Sequence, residues 1–237
     1  MPMNLDALRA ARAPREPKPF PIPTRELCQR YERLFTGAVN DVLRERCLLD
    51  QALPHRIKPL RDEMAVAGIA FTIKGSKNLD MEDQMPQRAA MLDDLHEDAV
   101  VIWDTSEDDE SAQWGEMMTR AAIQRGCRGA VVDGGIRDTR QILETGFPVF
   151  NRYRTSSAMM GRFKMVGWQL PVKIGGVAIY PGDVIMGDID GVVVIPREIA
   201  YEVLLRAEEI ARQEGDIKRW VEDGLSANEV LDRGGYF

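Results

Sequence analysis

The stretch WGEMMTRAAIQRGCRGAVVDGGIRD, residues 114–138, decides the fold. From Trp114 the apolar residues fall at Met117, Met118, Ala121 and Ala122, the spacing of an amphipathic helix that ends near Gly126. Residues 129–134 follow, a run of small and β-branched apolar residues bounded by glycines, which predicts a buried strand ending before Arg137. About eleven helical residues at ~1.5 Å each span the same length as about six strand residues at ~3.3 Å each. The two elements therefore pack antiparallel, with the helix start over the C-terminal end of the strand, where α/β proteins bind ligands. A guanidinium (Arg137), two carboxylates (Glu116 and Asp138) and the free N–H groups of a helix start near Gly115 converge there. The helix dipole favours an anion at that point. A small carboxylic acid with a divalent cation fits the set.

Working outward, residues 24–34 and 38–46 read as helices, with Asp41 in the first turns of the second. Residues 65–73 and 99–103 read as strands and 87–95 as a helix; 74–83 and 104–110 read as polar loops. A short helix over 139–145 precedes a strand around Phe147–Phe150. From 171 to 196 the chain changes to closely spaced strands (172–174, 177–179, 184–186, 192–195) joined by Gly175-Gly176, Pro181-Gly182-Asp183 and Asp188-Ile189-Asp190-Gly191. A long charged helix over 198–223 follows, and the C-terminal residues 234–237 are expected to dock as a tail. This alternation, with a β-rich second half, predicts an α/β fold: a layered β/β/α sandwich in one domain (25–237), preceded by an N-terminal arm (1–24) and closed by a long C-terminal helix.

Composition narrows the chemistry. The 237 residues carry a net charge of −7 and 44 % hydrophobic residues, ordinary for a globular chain without a basic stripe. No general nucleic-acid binder is expected, although a local RNA contact stays open. Cys28, Cys47 and Cys127 form neither a disulfide framework nor a zinc knuckle, and no apolar run reaches the ~18 residues of a membrane span. A reducing cytoplasm is the simplest home. His55 and His96 share no motif spacing, which argues against a His-rich zinc site and a serine hydrolase triad. No phosphate-binding glycine loop occurs.

With these residues located, the chain resembles the RraA-like family, which holds 4-hydroxy-4-methyl-2-oxoglutarate aldolases alongside regulators of ribonuclease E, and many of whose members have carried a methyltransferase label. The resemblance covers roughly residues 36–197. It is carried by residues 126–138, Phe147-Pro148-Val149-Phe150, Gly175-Gly176-Val177, Pro181-Gly182-Asp183 and residues 188–196. The aldolase branch is marked by an Asp, twenty intervening residues, then Arg-Asp; here Glu116, one methylene longer, takes the first place before Arg137-Asp138.

The resemblance implies the swivelling β/β/α fold, a homotrimer or dimer of trimers with sites at subunit interfaces, and Mg²⁺ or Mn²⁺ dependence. It implies retro-aldol release of pyruvate from a small 2-oxo acid substrate, with oxaloacetate decarboxylation as a companion. Asp138 would hold the metal, and Arg137 would stabilise the enolate. Glu116 would orient a water that acts as acid or base, while Gly115, Met117 and Met118 would hold the substrate carboxylate through backbone N–H groups. Asp41 is a candidate acid acting from an interface, and Glu214 another. The Met117 and Met118 side chains are expected in the core, and Asp133 is read as a turn residue outside the site. Arg152 and Arg154 would suit a second substrate carboxylate. Two alternatives stay open: a non-catalytic protein that binds ribonuclease E, and a Schiff-base aldolase using Lys74. A methyltransferase finds no glycine-rich cofactor loop.

Overall fold

A computed structural model describes residues 4–7, 10 and 18–236. In chain order it holds α1 (Thr24–Tyr31), α2 (Thr36–Glu45), β1 (Lys58–Pro59), β2 (Val66–Lys77), α3 (Met85–Asp93), β3 (Ala99–Asp104), β4 (Ala112–Trp114), α4 (Glu116–Gln124), β5 (Gly129–Ile136), α5 (Thr139–Thr145), β6 (Val149–Arg154), β7 (Phe163–Trp168), β8 (Val172–Ile174), β9 (Val177–Ile179), β10 (Val184–Asp188), β11 (Gly191–Ile195), α6 (Ala200–Glu222) and α7 (Ala227–Asp232).

One mixed sheet runs β1-β6-β5-β3-β2-β10-β11, with β4 added beside β5 and β7 beside β2. Its centre is parallel: β2 with β3, β3 with β5, and β5 with β6. Strands buried on both faces need continuous apolar sequence, and every residue of β3 and β5 is buried. Phe71, Ile73, Val101, Trp103, Ala130 and Val132 meet Met91 of α3, Leu95 just after it, Ala122 of α4 and Ile142 of α5. On the same face further along, Ala67, Ile69, Val184 and Val193 meet α1, α2 and α6. The opposite face, with Val100, Ile102, Val131 and Ile185, is covered by the β8–β9 hairpin. Hairpin, sheet and helices make the three layers of the β/β/α sandwich, an α/β single domain with a long C-terminal helix.

Long-range polar contacts fix the helices. Thr36 donates its backbone N–H and its hydroxyl to the Asp188 carboxylate, each at 2.8 Å, so the turn after β10 caps the start of α2. Of the arm expected over 1–24, residues 1–3, 8–9 and 11–17 lie outside the described residues. Lys18 accepts a hydrogen bond from Arg197 at 2.9 Å, and that guanidinium lies 4.0 Å from the Phe20 ring centroid. None of the three thiols is bonded to another, and burial pushes those of Cys28 and Cys127 up to about 12. Among the described residues no helix is long and apolar enough to cross a membrane.

Several local readings need correction: residues 74–77, expected in a polar loop, extend β2 to Lys77, and the strand expected over 129–134 runs to Ile136. The helix predicted from Trp114 starts at Glu116 and has nine residues, because Trp114 belongs to β4, paired with Ile136 of β5. Its indole is buried, donates to Thr119 Oγ1 at 2.8 Å and meets Trp103 edge to face at 6.5 Å. Such aromatic pairs add about 0.5–1.5 kcal/mol beyond area burial, enough to override a helical spacing. Met117 is 72 % exposed rather than core, since the α4 start overhangs the sheet end. Asp133 is no turn residue: it lies within β5 and is buried. The sequence reading also missed β1, β4, β7 and α7, which are short or weakly patterned.

Candidate active site

Chain geometry at the end of β5 is set by what β4 demands of it. Gln113 accepts a hydrogen bond from Gly135 N–H at 2.9 Å and donates to Asp108 at 2.6 Å, clamping the segment before α4 against β5. A Cβ on Gly134 would sit 2.3 Å from Gln113 Oε1, so only glycine admits the clamp. Arg137 N–H then donates to the Trp114 carbonyl at 3.0 Å, placing Arg137 and Asp138 beside the start of α4.

The predicted convergence is therefore present in the backbone. Asp138 Oδ2 accepts the Glu116 N–H at 3.2 Å and stands 3.7 Å from Arg137 Nε. A Cβ on Gly115 would come within 2.7 Å of that same oxygen, so Gly115 is what lets the carboxylate reach the helix start. Asp138 adopts a left-handed backbone, φ 55°, which Asp tolerates better than most residues and which costs of order 1–3 kcal/mol where the surroundings impose it. The turn it makes lets its own carbonyl accept the Ile142 N–H and begin α5 at once.

Gly115, Met117, Met118, Arg137 and Asp138 line one cleft of ≈ 470 Å³. As first-turn residues, Met117 and Met118 have no carbonyl within the helix for their N–H groups. Glu116 differs: its carboxylate accepts from Arg120 Nε at 2.8 Å, one turn along α4, and does not line the cleft. A pair of this kind contributes only about 0.3–0.5 kcal/mol, so it restrains Glu116 weakly. A second hollow of ≈ 410 Å³ lies against the other side of Arg137 and Asp138 and includes Arg154.

Other sequence candidates lie elsewhere. Asp41 pairs with Arg44 at 3.0 Å and sits near Glu214, whose carboxyl is pushed up by burial and then by the charge of Asp41; neither lines the cleft. Lys74 donates to Asp104 at 2.7 Å across β2 and β3, which commits its amine to an ion pair. Arg152 turns toward Asp133 and the Asp108 carbonyl and does not line the cleft. The second cation of the cleft is Arg88 on α3, a residue sequence reasoning missed. Its signal is faint: an arginine near the start of a short helix, with no motif spacing to mark it.

The donor set fits a hard cation. No group of three or more His, Cys, Asp or Glu side chains is assembled among the described residues. Mg²⁺ and Mn²⁺ do not require such a cage, because they keep several waters and bind through one or two carboxylates plus substrate oxygens. Asp138, with one oxygen held by Glu116 N–H and the other free for a ligand, meets that demand.

Relatives bear on this geometry. A putative 4-hydroxy-4-methyl-2-oxoglutarate aldolase of Halalkalibacterium halodurans is 34 % identical over 175 residues, 74 % of this chain and 80 % of that protein. Protein DlpA of Legionella pneumophila is 31 % identical over 87 % of this chain, which spans only 33 % of that longer protein. Among solved structures, one described as of novel cellulases from microbes associated with the gut ecosystem superposes with a TM-score of 0.86 at 54 % identity, over 90 % of this chain and 96 % of that one. RraAS2 of Streptomyces coelicolor, described as an unusual member of the RNase ES inhibitor RraA protein family, gives 0.76 at 26 % identity over 84 % and 99 %. The Aldolase/RraA family model matches residues 36–194, a segment that holds the whole cleft, and by that match and its sandwich fold the chain belongs to the RraA-like family.

Proposed function

We propose that this protein is a carbon–carbon lyase that releases pyruvate from a 4-hydroxy-2-oxo acid such as 4-hydroxy-4-methyl-2-oxoglutarate, with oxaloacetate decarboxylation through the same enolate. The observation that carries the reading is the meeting of Arg137, Asp138 and the first-turn N–H groups of α4 on one cleft. The substrate carboxylate docks on the N–H groups of Met117 and Met118, where the helix dipole favours an anion. Arg137, beside them, opposes the negative charge that grows on the keto oxygen as the carbon–carbon bond breaks. Asp138 would hold Mg²⁺ or Mn²⁺, which supplies Lewis acidity at the keto oxygen when bound. Glu116, released from its weak pair with Arg120, takes or returns the proton.

The assembly we propose is a homotrimer or dimer of trimers. The exposed Met85, Met117 and Met160 around the cleft give a neighbouring copy apolar surface to cover, and Asp41 or Glu214 would act across such an interface. Glycoside hydrolysis fits less well, since it uses a pair of carboxylates about 5–10 Å apart and Asp138 is the one acid lining this cleft among the described residues.

The test is pyruvate release from 4-hydroxy-4-methyl-2-oxoglutarate and from oxaloacetate, with Mg²⁺ or Mn²⁺ against EDTA. Turnover is expected to need metal, to vanish in Asp138→Ala, and to fall by about 10²–10³ in Arg137→Ala. Turnover indifferent to both substitutions would sink the site. No turnover on either substrate, with tight ribonuclease E association, would establish the binding-protein reading instead.

A further inference from the structure

Arg88 is the charged residue of the cleft that this chemistry leaves without a task. It lies on α3, half-buried, and lines the same cleft as Arg137. Its Nε is buried with no hydrogen-bond partner among the described residues. Burial first, and the neighbouring charge of Arg137 second, weaken its hold on its proton, with Asp83 opposing them. A guanidinium does not give up that proton in a protein, so a cation only partly offset by Asp83 stands beside a second one.

Among the described residues the only carboxylate on the cleft wall is Asp138, and it is already engaged by the Glu116 N–H and by Arg137. Two guanidiniums against one carboxylate leave the cleft short of negative charge. Much of the remaining wall is apolar, with Leu92, Met118 and Met159, so the ligand it suits is charged at its ends and carbon between them.

We propose that Arg88 is a specificity-determining residue that grips the distal carboxylate of the substrate, so that the cleft selects dianionic 2-oxo acids over monoanionic ones of equal length. The assignment rests on reading the cleft as a 2-oxo acid site. The planar fork of a guanidinium matches a carboxylate in two parallel hydrogen bonds, and the added negative charge offsets the repulsion from Arg137.

Calorimetric titration of the full chain in Mg²⁺ with 2-oxoglutarate and with 2-oxopentanoate tests it, because the two differ only in the distal carboxylate. The dianion should bind at least about tenfold more tightly, and the ratio should fall below about threefold in Arg88→Gln. Arg88→Met, which keeps the packing of the side-chain stem, should show the same collapse and decides the matter if the first variant does not fold by circular dichroism. A wild-type ratio below about threefold, a ratio that survives either folded variant, or a folded wild type that does not bind 2-oxoglutarate would overturn the assignment. Pyruvate release measured in parallel separates the two readings. A preserved binding preference without any turnover breaks the lyase and keeps Arg88, whereas turnover without the preference keeps the lyase and removes Arg88.

Discussion

Strand β5 carries two charge clusters near its C-terminal end, and they are built in opposite ways. Asp133 is 2 % exposed and faces Arg56 at 3.5 Å and Arg152 at 3.6 Å. Arg152 also reaches the backbone carbonyls of Asp133 and Asp108 at 3.3 and 3.4 Å. That cluster closes on itself. A few residues later, among the described residues, the Arg137 side chain has one ion-pair approach, 3.7 Å to Asp138, and the buried Nε of Arg88 has no acceptor. Burying charge without partners is costly. An internally closed cluster holds the strand in place, whereas one with spare donors is arranged for a ligand that brings the missing oxygens.

Gly115→Ala breaks the open cluster without touching the closed one. Gly115 has an extended backbone, φ −157°, that any residue adopts, so alanine brings no backbone strain. Its Cβ would still occupy the space within 2.7 Å of Asp138 Oδ2, and the carboxylate has to move off the helix start. Displacing a reactive group by about 1 Å costs of order 10²-fold in rate. The expected result is a fall of about 10–100-fold in pyruvate release, with an unfolding free energy from urea melts within about 1 kcal/mol of wild type. Full activity would show that the position of Asp138 does not matter to the chemistry.

How far the sequence reveals this difference depends on how local the cause is. The meeting of α4 with the end of β5 is legible because the order of helix and strand and the glycines that bound them are written in one stretch of residues, 114–138, although the helix has nine residues and the strand eight against the roughly eleven and six their spacing predicts. The β4 pairing of Trp114 is not, because its cause is the Trp103 ring contributed by a different strand. Asp133 looked like a turn former beside two glycines, and only Arg56 and Arg152, distant in the chain, make it a buried ion. Arg88 went unseen because what singles it out is an absence of partners, and a sequence does not show what fails to arrive. The Glu116 carboxylate was placed by its backbone, yet its side chain follows the nearer arginine.

The closed cluster gives a prediction with a sign. Burial outweighs the attraction of Arg152 and Arg56, so the carboxyl of Asp133 is pushed up from its ordinary value. In the window between the unfolded value and the raised native one, the native state holds the proton that the unfolded state has lost. Stability contributed by this group therefore falls as pH rises through that window. Asp133→Asn removes the effect: wild type should gain on the variant as pH falls through the raised native value, in urea melts run at a series of pH values. Because burial already disfavours the charge, the variant should lie within about 1 kcal/mol of wild type at neutral pH. A loss several times larger would mean that the ion cluster itself holds the strand end together.

The smallest effect concerns the boundary between the two kinds of cluster, the Glu116–Arg120 pair. If Arg120 only parks Glu116, Arg120→Ala should lower stability by about 0.3–0.5 kcal/mol, the worth of one i,i+4 pair, and leave turnover within about twofold, since the freed carboxylate still reaches its proton. Glu116→Gln breaks the same pair at a similar cost in stability, but it removes a group that exchanges a proton and should lower turnover by about 10² or more. Equal losses of turnover in the two variants would show that Arg120 and Glu116 work as one unit. The pair would then belong to the closed, self-satisfied kind, and the proton would have to come from another acid, with Asp41 or Glu214 of a neighbouring copy the next to substitute.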